Sequence, residues 1–261
     1  MAIPTKTLSD RACAAARLAS WSYIDDTEVR DQLIEKHFGK KIKSRLISIN
    51  SAECLITRLD SQLWIAFRGT QPNQLNDLKA DLDMFKEKSE SAGMVHGGFK
   101  EEVDELWEEI VKELQRNGKL ANPRDVYFCG HSLGGAMATI AATRYPLAEA
   151  VYTFGSPRVG GKVFVDTCQV KHYRFVNNND LVPKVPPSLL GFKHDGVEMY
   201  FNSKENLALG YTFWQDMWDL VKGLVSAWSQ FKFFDGLTDH GMDGYIYLVD
   251  KNKEEIEKCI G

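Results

Sequence analysis

The chain is short of the features that mark several classes of protein. Its 261 residues include five cysteines (Cys13, Cys54, Cys129, Cys168 and Cys259), odd in number, widely spread and without metal-ligand spacing. That pattern excludes a disulfide framework as the basis of the fold. Cys129 lies in an apolar run and reads as a small buried hydrophobe rather than a reactive thiol. No stretch reaches the roughly 18 consecutive apolar residues that a membrane-crossing helix needs. Basic residues are scattered rather than gathered into a patch. The net charge is −4, and the short run Lys40, Lys41, Lys43 and Arg45 reads as a solvated edge before a strand. Phosphate recognition requires a basic patch, so nucleic acid is not an expected partner. Purely electrostatic docking on anionic lipid is disfavoured for the same reason, and any membrane contact would have to be apolar. The first residues carry no continuous apolar core of a secretory signal ahead of their alanine-rich stretch. The expectation is a soluble protein whose compartment is open. Internal repeats and low-complexity segments are absent from the sequence.

What is present is ordinary globular material. With 44% apolar and 26% charged residues, a chain of this length can bury a normal core, and one domain over residues 1–261 is the simplest expectation. Residues 8–23 repeat apolar positions at helical spacing behind Ser9 or Asp10 as cap candidates. Residues 45–49, 53–59 and 62–67 read as strands, the last two joined by the turn pair Asp60 and Ser61. An acidic amphipathic helix over 99–117 places Phe99, Val103, Leu106, Ile110 and Leu114 on one face and stops before Gly118. Then come a strand (125–129), a helix (133–145), strands at 150–154 and 172–176, a loop rich in proline, and a strand at 196–201. Strands alternating with helices predict an α/β fold with a mainly parallel sheet covered on both faces.

Chemistry is concentrated at Gly130-His131-Ser132-Leu133-Gly134, which follows the apolar run VYFC and opens a helix. A G-x-S-x-G run between strand and helix makes a nucleophile elbow, a turn so tight that flanking side chains would collide in it. Ser132 is therefore the expected nucleophile. Its place at a helix N-terminus adds unpaired N–H groups and the positive end of the helix dipole, both suited to a developing oxyanion.

A serine hydroxyl needs a base to take its proton and a carboxylate to orient that base. On this type of fold they follow the serine in the order acid, then histidine. The bases in range are His172, His194 and His240. His240 is favoured because a loop near the C-terminus can return over the carboxyl edge of the sheet. The acid expected is Asp180, directly after the strand YRFV, because catalytic groups of open α/β sheets gather at the carboxyl ends of strands. Asp166, in a predicted helix, and Asp195, in a predicted turn, compete with it.

The segments IAFRGT, VHGGF, GHSLGGAMA, TFGSPRVG, NNNDLVPKVPP and DHGMDGY occur in this order between residues 65 and 245. Together they resemble the class 3 lipases, the fungal-lipase-like branch of the α/β-hydrolases. The resemblance implies an α/β-hydrolase fold with a lid-like helical insertion. It also implies an acyl-enzyme mechanism on Ser132, Asp180 and His240 that requires no metal or organic cofactor. It places the first oxyanion-hole donor at Thr70, beside the backbone N–H of Leu133, and gives His96 a supporting role. The implied activity is hydrolysis of carboxylic esters of lipids, as a triacylglycerol lipase or carboxylesterase, with lipid as the partner. Phospholipase A-type activity, or a silent lipid binder of the same fold, are the alternatives.

Two segments bear on specificity. Residues 71–85 carry Leu75, Leu78 and Leu82 at helical spacing where the family has a lid, although core packing explains them as well. Residues 211–234 form a long periodic stripe with Trp214, Trp218 and Trp228, unlike the family pattern. This stripe suits a second lid, an acyl-chain wall, an interfacial anchor or a helix packed on the core.

Overall fold

The computed structural model describes residues 6–39, 42–69, 86–116, 125–178, 180–209 and 239–259. Its centre is an eight-stranded sheet. The first three strands, β1 (Ser44–Ile49), β2 (Ala52–Leu59) and β3 (Gln62–Phe67), pair antiparallel as a meander. A small separate hairpin, β4 (Lys86–Lys88) and β5 (Met94–His96), follows. The main sheet resumes with β6 (Val126–His131), β7 (Ala150–Phe154), β8 (Lys171–Asn177) and β9 (Val197–Phe201), each parallel to its predecessor starting from β3. An antiparallel edge strand, β10 (Leu207–Leu209), closes it.

Every residue of β6 and β7 is buried, which explains why both read as unbroken apolar runs rather than alternating ones. Alternation survives in which side each residue serves. Val126, Phe128 and Val151 join one core; Tyr127, Cys129, Ala150, Tyr152 and Phe154 join the other. The first core is covered by α3 (Gly97–Gln115) and α4 (Leu133–Arg144). On the opposite face lie α1 (Leu8–Trp21) and the C-terminal α6 (Met242–Lys251) and α7 (Lys253–Lys258). In α1, Ala12, Ala14, Ala15, Ala16 and Ala19 are fully buried, and their small side chains let the helix lie close to the sheet. Two further helices are α2 (Thr27–Phe38) and the short α5 (Lys162–Thr167).

The mainly parallel sheet with helices on both faces is the architecture expected from the sequence. Details differ. The cap of α1 is Thr7, whose side chain accepts from the Asp10 N–H, rather than Ser9 or Asp10. Helix α2 was not foreseen, because its buried contacts reduce to Arg30, Ile34 and Phe38 and give no clear apolar stripe. Its ends nevertheless carry ordinary signals, Asp26 capping Glu28 and Val29 and left-handed Gly39 terminating the helix. Residues 71–85 and 211–234, with Thr70, lie outside the described residues. Among the described residues, no helix is long and apolar enough to cross a membrane.

Candidate active site

Ser132 stands between β6 and α4 with φ 56° and ψ −128°, a backbone region that side chains strongly disfavour. Holding a non-glycine residue there costs on the order of 1–3 kcal/mol, so the surroundings must enforce it. Two backbone bonds do so: the Ser132 N–H donates to the Phe154 carbonyl at 3.0 Å, and the Gly135 N–H donates to the Ser132 carbonyl at 3.0 Å. The flanking glycines are demanded by crowding. A Cβ at Gly130 would lie 2.2 Å from the Gly134 carbonyl oxygen, and one at Gly134 would lie 2.2 Å from that of Phe67. Leu133 begins α4, whose first N–H groups have no acceptor within the helix.

Asp180 follows the carboxyl end of β8 and is fully buried. Its Oδ1 accepts from the Val182 N–H at 2.9 Å. Its Oδ2 accepts from the Tyr245 hydroxyl at 2.6 Å and lies 2.8 Å from His240 Nδ1. The Tyr245 oxygen accepts in turn from the Asn177 N–H at 3.1 Å. Burial, then the neighbouring Asp180, push the Tyr245 phenol well above its ordinary range, so it stays protonated and donates. Asn177 also donates through Nδ2 to the Asp239 carbonyl at 2.8 Å, which ties the histidine loop to the end of β8.

Because an ionised carboxylate only accepts, the contact with Asp180 places a proton on His240 Nδ1 and leaves Nε2 bare. That Nε2 atom and Ser132 Oγ are both buried and, among the described residues, both without a hydrogen-bond partner. Each such orphan costs about 1–3 kcal/mol. Common neighbours bring the two residues close together. Gly155, next to the Phe154 that holds Ser132, would place a Cβ 2.7 Å from Asp180 Oδ2 and 2.8 Å from His240 Nδ1. The ring of His131, adjacent to Ser132, lies 4.4 Å from that of His240 between centroids.

The other candidates are engaged elsewhere. His172 contacts Thr153 Oγ1 at 2.9 Å and Asp195 Oδ2 at 3.1 Å. His194 Nε2 donates to the Pro183 carbonyl at 2.7 Å. Asp166 is exposed in α5 and pairs with Lys162. His96 is buried and stacked on Phe99, with ring centroids 4.1 Å apart. Tyr245, Asn177 and Gly155 were missed by the sequence reading. Tyr245 had a local signal, standing five positions after His240, but only the fold turns its hydroxyl onto Asp180.

A family model described as Lipase (class 3) matches residues 64–190, from β3 across the elbow to the loop beyond Asp180. Over residues 64–190 the chain belongs to the class 3 lipase family. Among related class 3 lipases, a lipase of Rhizomucor miehei is 32% identical over 185 residues, covering 64% of this chain and 50% of that protein. A secreted mono- and diacylglycerol lipase A of Penicillium cyclopium is 38% identical over 143 residues, covering 52% of this chain and 43% of its own length. The solved structure of lipase II from Rhizopus niveus superposes with a TM-score of 0.61 at 25% identity, covering 74% of this chain and 78% of that one. The chain thus spans about half the length of the curated class 3 lipases it matches, and the α/β-hydrolase fold is common to them.

Proposed function

We propose that this protein is a serine hydrolase that cleaves carboxylic esters of lipids through an acyl-enzyme on Ser132. The observation that carries this reading is the pair of buried, unpartnered atoms, Ser132 Oγ and His240 Nε2, on a strained turn beside a fully bonded Asp180. A binder that never turned over would have no physical need for that strain. In the reaction, Ser132 Oγ attacks the ester carbonyl carbon while His240 Nε2 takes the hydroxyl proton. Asp180 stabilises the resulting imidazolium and keeps its ring oriented. The oxyanion receives hydrogen bonds from the Leu133 N–H and, following the family pattern, from Thr70. As the tetrahedral intermediate collapses, His240 returns its proton to the departing alcohol oxygen. Water, deprotonated by the same nitrogen, then releases the fatty acid and restores Ser132.

The names of the relatives make acylglycerols the first substrates to try. A fluorophosphonate probe should label Ser132, and a nitrophenyl ester series should be hydrolysed by the wild type and not by Ser132→Ala. Triacylglycerol, monoacylglycerol and phospholipid assayed side by side then assign the head group. An unlabelled, inactive wild type would favour the lipid-binding alternative.

A further inference from the structure

His131 fills the variable slot of the elbow, yet both of its ring nitrogens are engaged. Nε2 lies 2.7 Å from the backbone carbonyl of His240, and Nδ1 lies 3.2 Å from the hydroxyl of Tyr23. That hydroxyl is in turn 3.1 Å from the backbone N of Gly69. A carbonyl only accepts, so His131 Nε2 carries the proton; in the neutral ring Nδ1 is then an acceptor, and the tyrosine must donate to it. The Tyr23 oxygen is left to accept from the Gly69 N–H. Each group has one role, so the chain runs one way, from Gly69 through Tyr23 and His131 to His240.

We propose that Tyr23 and His131 are positioning residues that tie the segment leading into the oxyanion position to the backbone of the catalytic histidine. The inference rests on the triad reading above and goes further by coupling its two halves. Gly69 immediately precedes Thr70 and is pressed on the elbow: a Cβ there would meet the His131 carbonyl oxygen at 2.6 Å and the Tyr23 hydroxyl at 2.7 Å. Tyr23 sits just past α1, so its hydroxyl links the end of the N-terminal helix to the site. The Arg68 guanidinium, paired with Glu53 at 2.6 Å, lies 5.7 Å from the Tyr23 ring centroid and packs over it. At the other end, the His131 ring lies tilted against that of His240. Burial, then the adjacent His240, hold His131 well below its ordinary pKa. It therefore stays neutral while His240 becomes imidazolium, and adds no repulsion at that moment.

The test replaces the relay in halves. Gln at position 131 can still donate to the His240 carbonyl; Asn can still accept from Tyr23 but falls short of the carbonyl; Phe does neither. On a soluble nitrophenyl ester, Tyr23→Phe, which keeps the bond to His240, is expected to lower kcat only about threefold, and His131→Phe about 10- to 100-fold with KM changed less than about twofold, the signature of misplaced reacting groups. His131→Gln should recover most of that loss and His131→Asn little of it. Nitrogen-15 spectra of histidine-labelled protein should show His131 as the Nε2–H tautomer in the wild type and in Ser132→Ala alike, with its Nδ1 resonance moving in Tyr23→Phe. An Nδ1–H tautomer, kcat within twofold of wild type in folded His131→Phe, or equal losses in all three His131 variants would overturn the relay. Undiminished turnover in Ser132→Ala would instead overturn the triad reading, and the positioning role with it. The two failures are distinguishable because the tautomer is read without turnover.

Discussion

Among the described residues, two hydroxyl–imidazole–carboxylate groupings can be compared, and their difference bears on the reactivity proposed for one of them. In the first, Ser132, His240 and Asp180 lie where loops leave the carboxyl ends of β6 and β8. In the second, Thr153 in β7 contacts Nε2 of His172 in β8, whose Nδ1 contacts Asp195 at 3.1 Å. By residue type the two are equivalent. The second is a finished structure: hydroxyl and ring nitrogens are all bonded, and Thr153 lies within a regular strand with no exposed surface. The first is unfinished, with a serine on a disfavoured backbone and two buried polar atoms left without partners. Unmet bonding capacity and strain, rather than the list of side chains, distinguish a site from a brace.

Parallel substitutions in the two groupings sharpen this contrast. The largest effect is expected at the hydroxyls. Ser132→Ala should lower kcat by about 10⁴-fold or more, whereas Thr153→Ala should leave kcat within roughly threefold and cost about 1–3 kcal/mol in denaturant unfolding by stranding His172 Nε2. Comparable activity in the two variants would break the distinction.

Next come the carboxylates. Asp180→Asn presents a donor where an acceptor is needed, upsets the His240 tautomer, and should reduce kcat by on the order of 10³- to 10⁴-fold with the fold intact. Asp195→Asn should leave turnover nearly unchanged and act on stability alone. Its carboxyl is held below the usual range: burial raises its pKa, but the His172 contact and charge, with Cys168, outweigh this. A depressed carboxylate stabilises the fold above its unfolded pKa and loses that contribution as pH falls through the folded one. Acid unfolding of Asp195→Asn monitored by tryptophan fluorescence should therefore lack one component of the wild-type loss below about pH 4.

Smaller still is the hydroxyl behind the acid. Tyr245→Phe removes one of the three donors on Asp180 and should lower kcat about tenfold, consistent with a charge-assisted hydrogen bond worth roughly 1.5–3 kcal/mol. Steady-state kinetics showing no loss would mean that Val182 and His240 alone suffice to hold the carboxylate.

The smallest effect separates the buried histidines that flank the two groupings. Burial, reinforced by nearby cations or His240, holds His131 and His194 well below the ordinary value of 6.5. Below about pH 6.5 the unfolded chain binds protons that these folded rings refuse, so stability falls with pH by at most about 1.4 kcal/mol per unit for each ring. His194→Gln, which keeps a donor for the Pro183 carbonyl, should remove one such contribution from the difference between urea unfolding at pH 7 and at pH 5.5. Activity at pH 7 should not change.

Legibility followed the range of the interactions. Strands β3, β6 and β7 were readable because burial on both faces leaves an unbroken apolar run, and β2 was separable from β3 because the turn pair Asp60 and Ser61 divides their patterns. Helix α2 was not, since its caps are local but its few buried contacts are set by distant partners. The β4–β5 hairpin, three residues to a strand, is too short for any period to register. At the site, the elbow was legible from spacing alone. The hydroxyls of Tyr23 and Tyr245 were not, because nothing near either tyrosine in sequence says which backbone atom or carboxylate it will meet.

The sequence by itself determined the elbow. Glycines two positions either side of Ser132, between an apolar strand and a helix of small residues, are a local steric requirement and need no distant partner to be recognised. It also determined the mainly parallel sheet, through the alternation of strand and helix periods along the chain. Only the tertiary structure decided which hydroxyl, imidazole and carboxylate are left unsatisfied and which are locked together. That outcome depends on hydrogen bonds between residues up to 109 positions apart, such as His131 with His240, whose geometry exists only once the sheet has assembled.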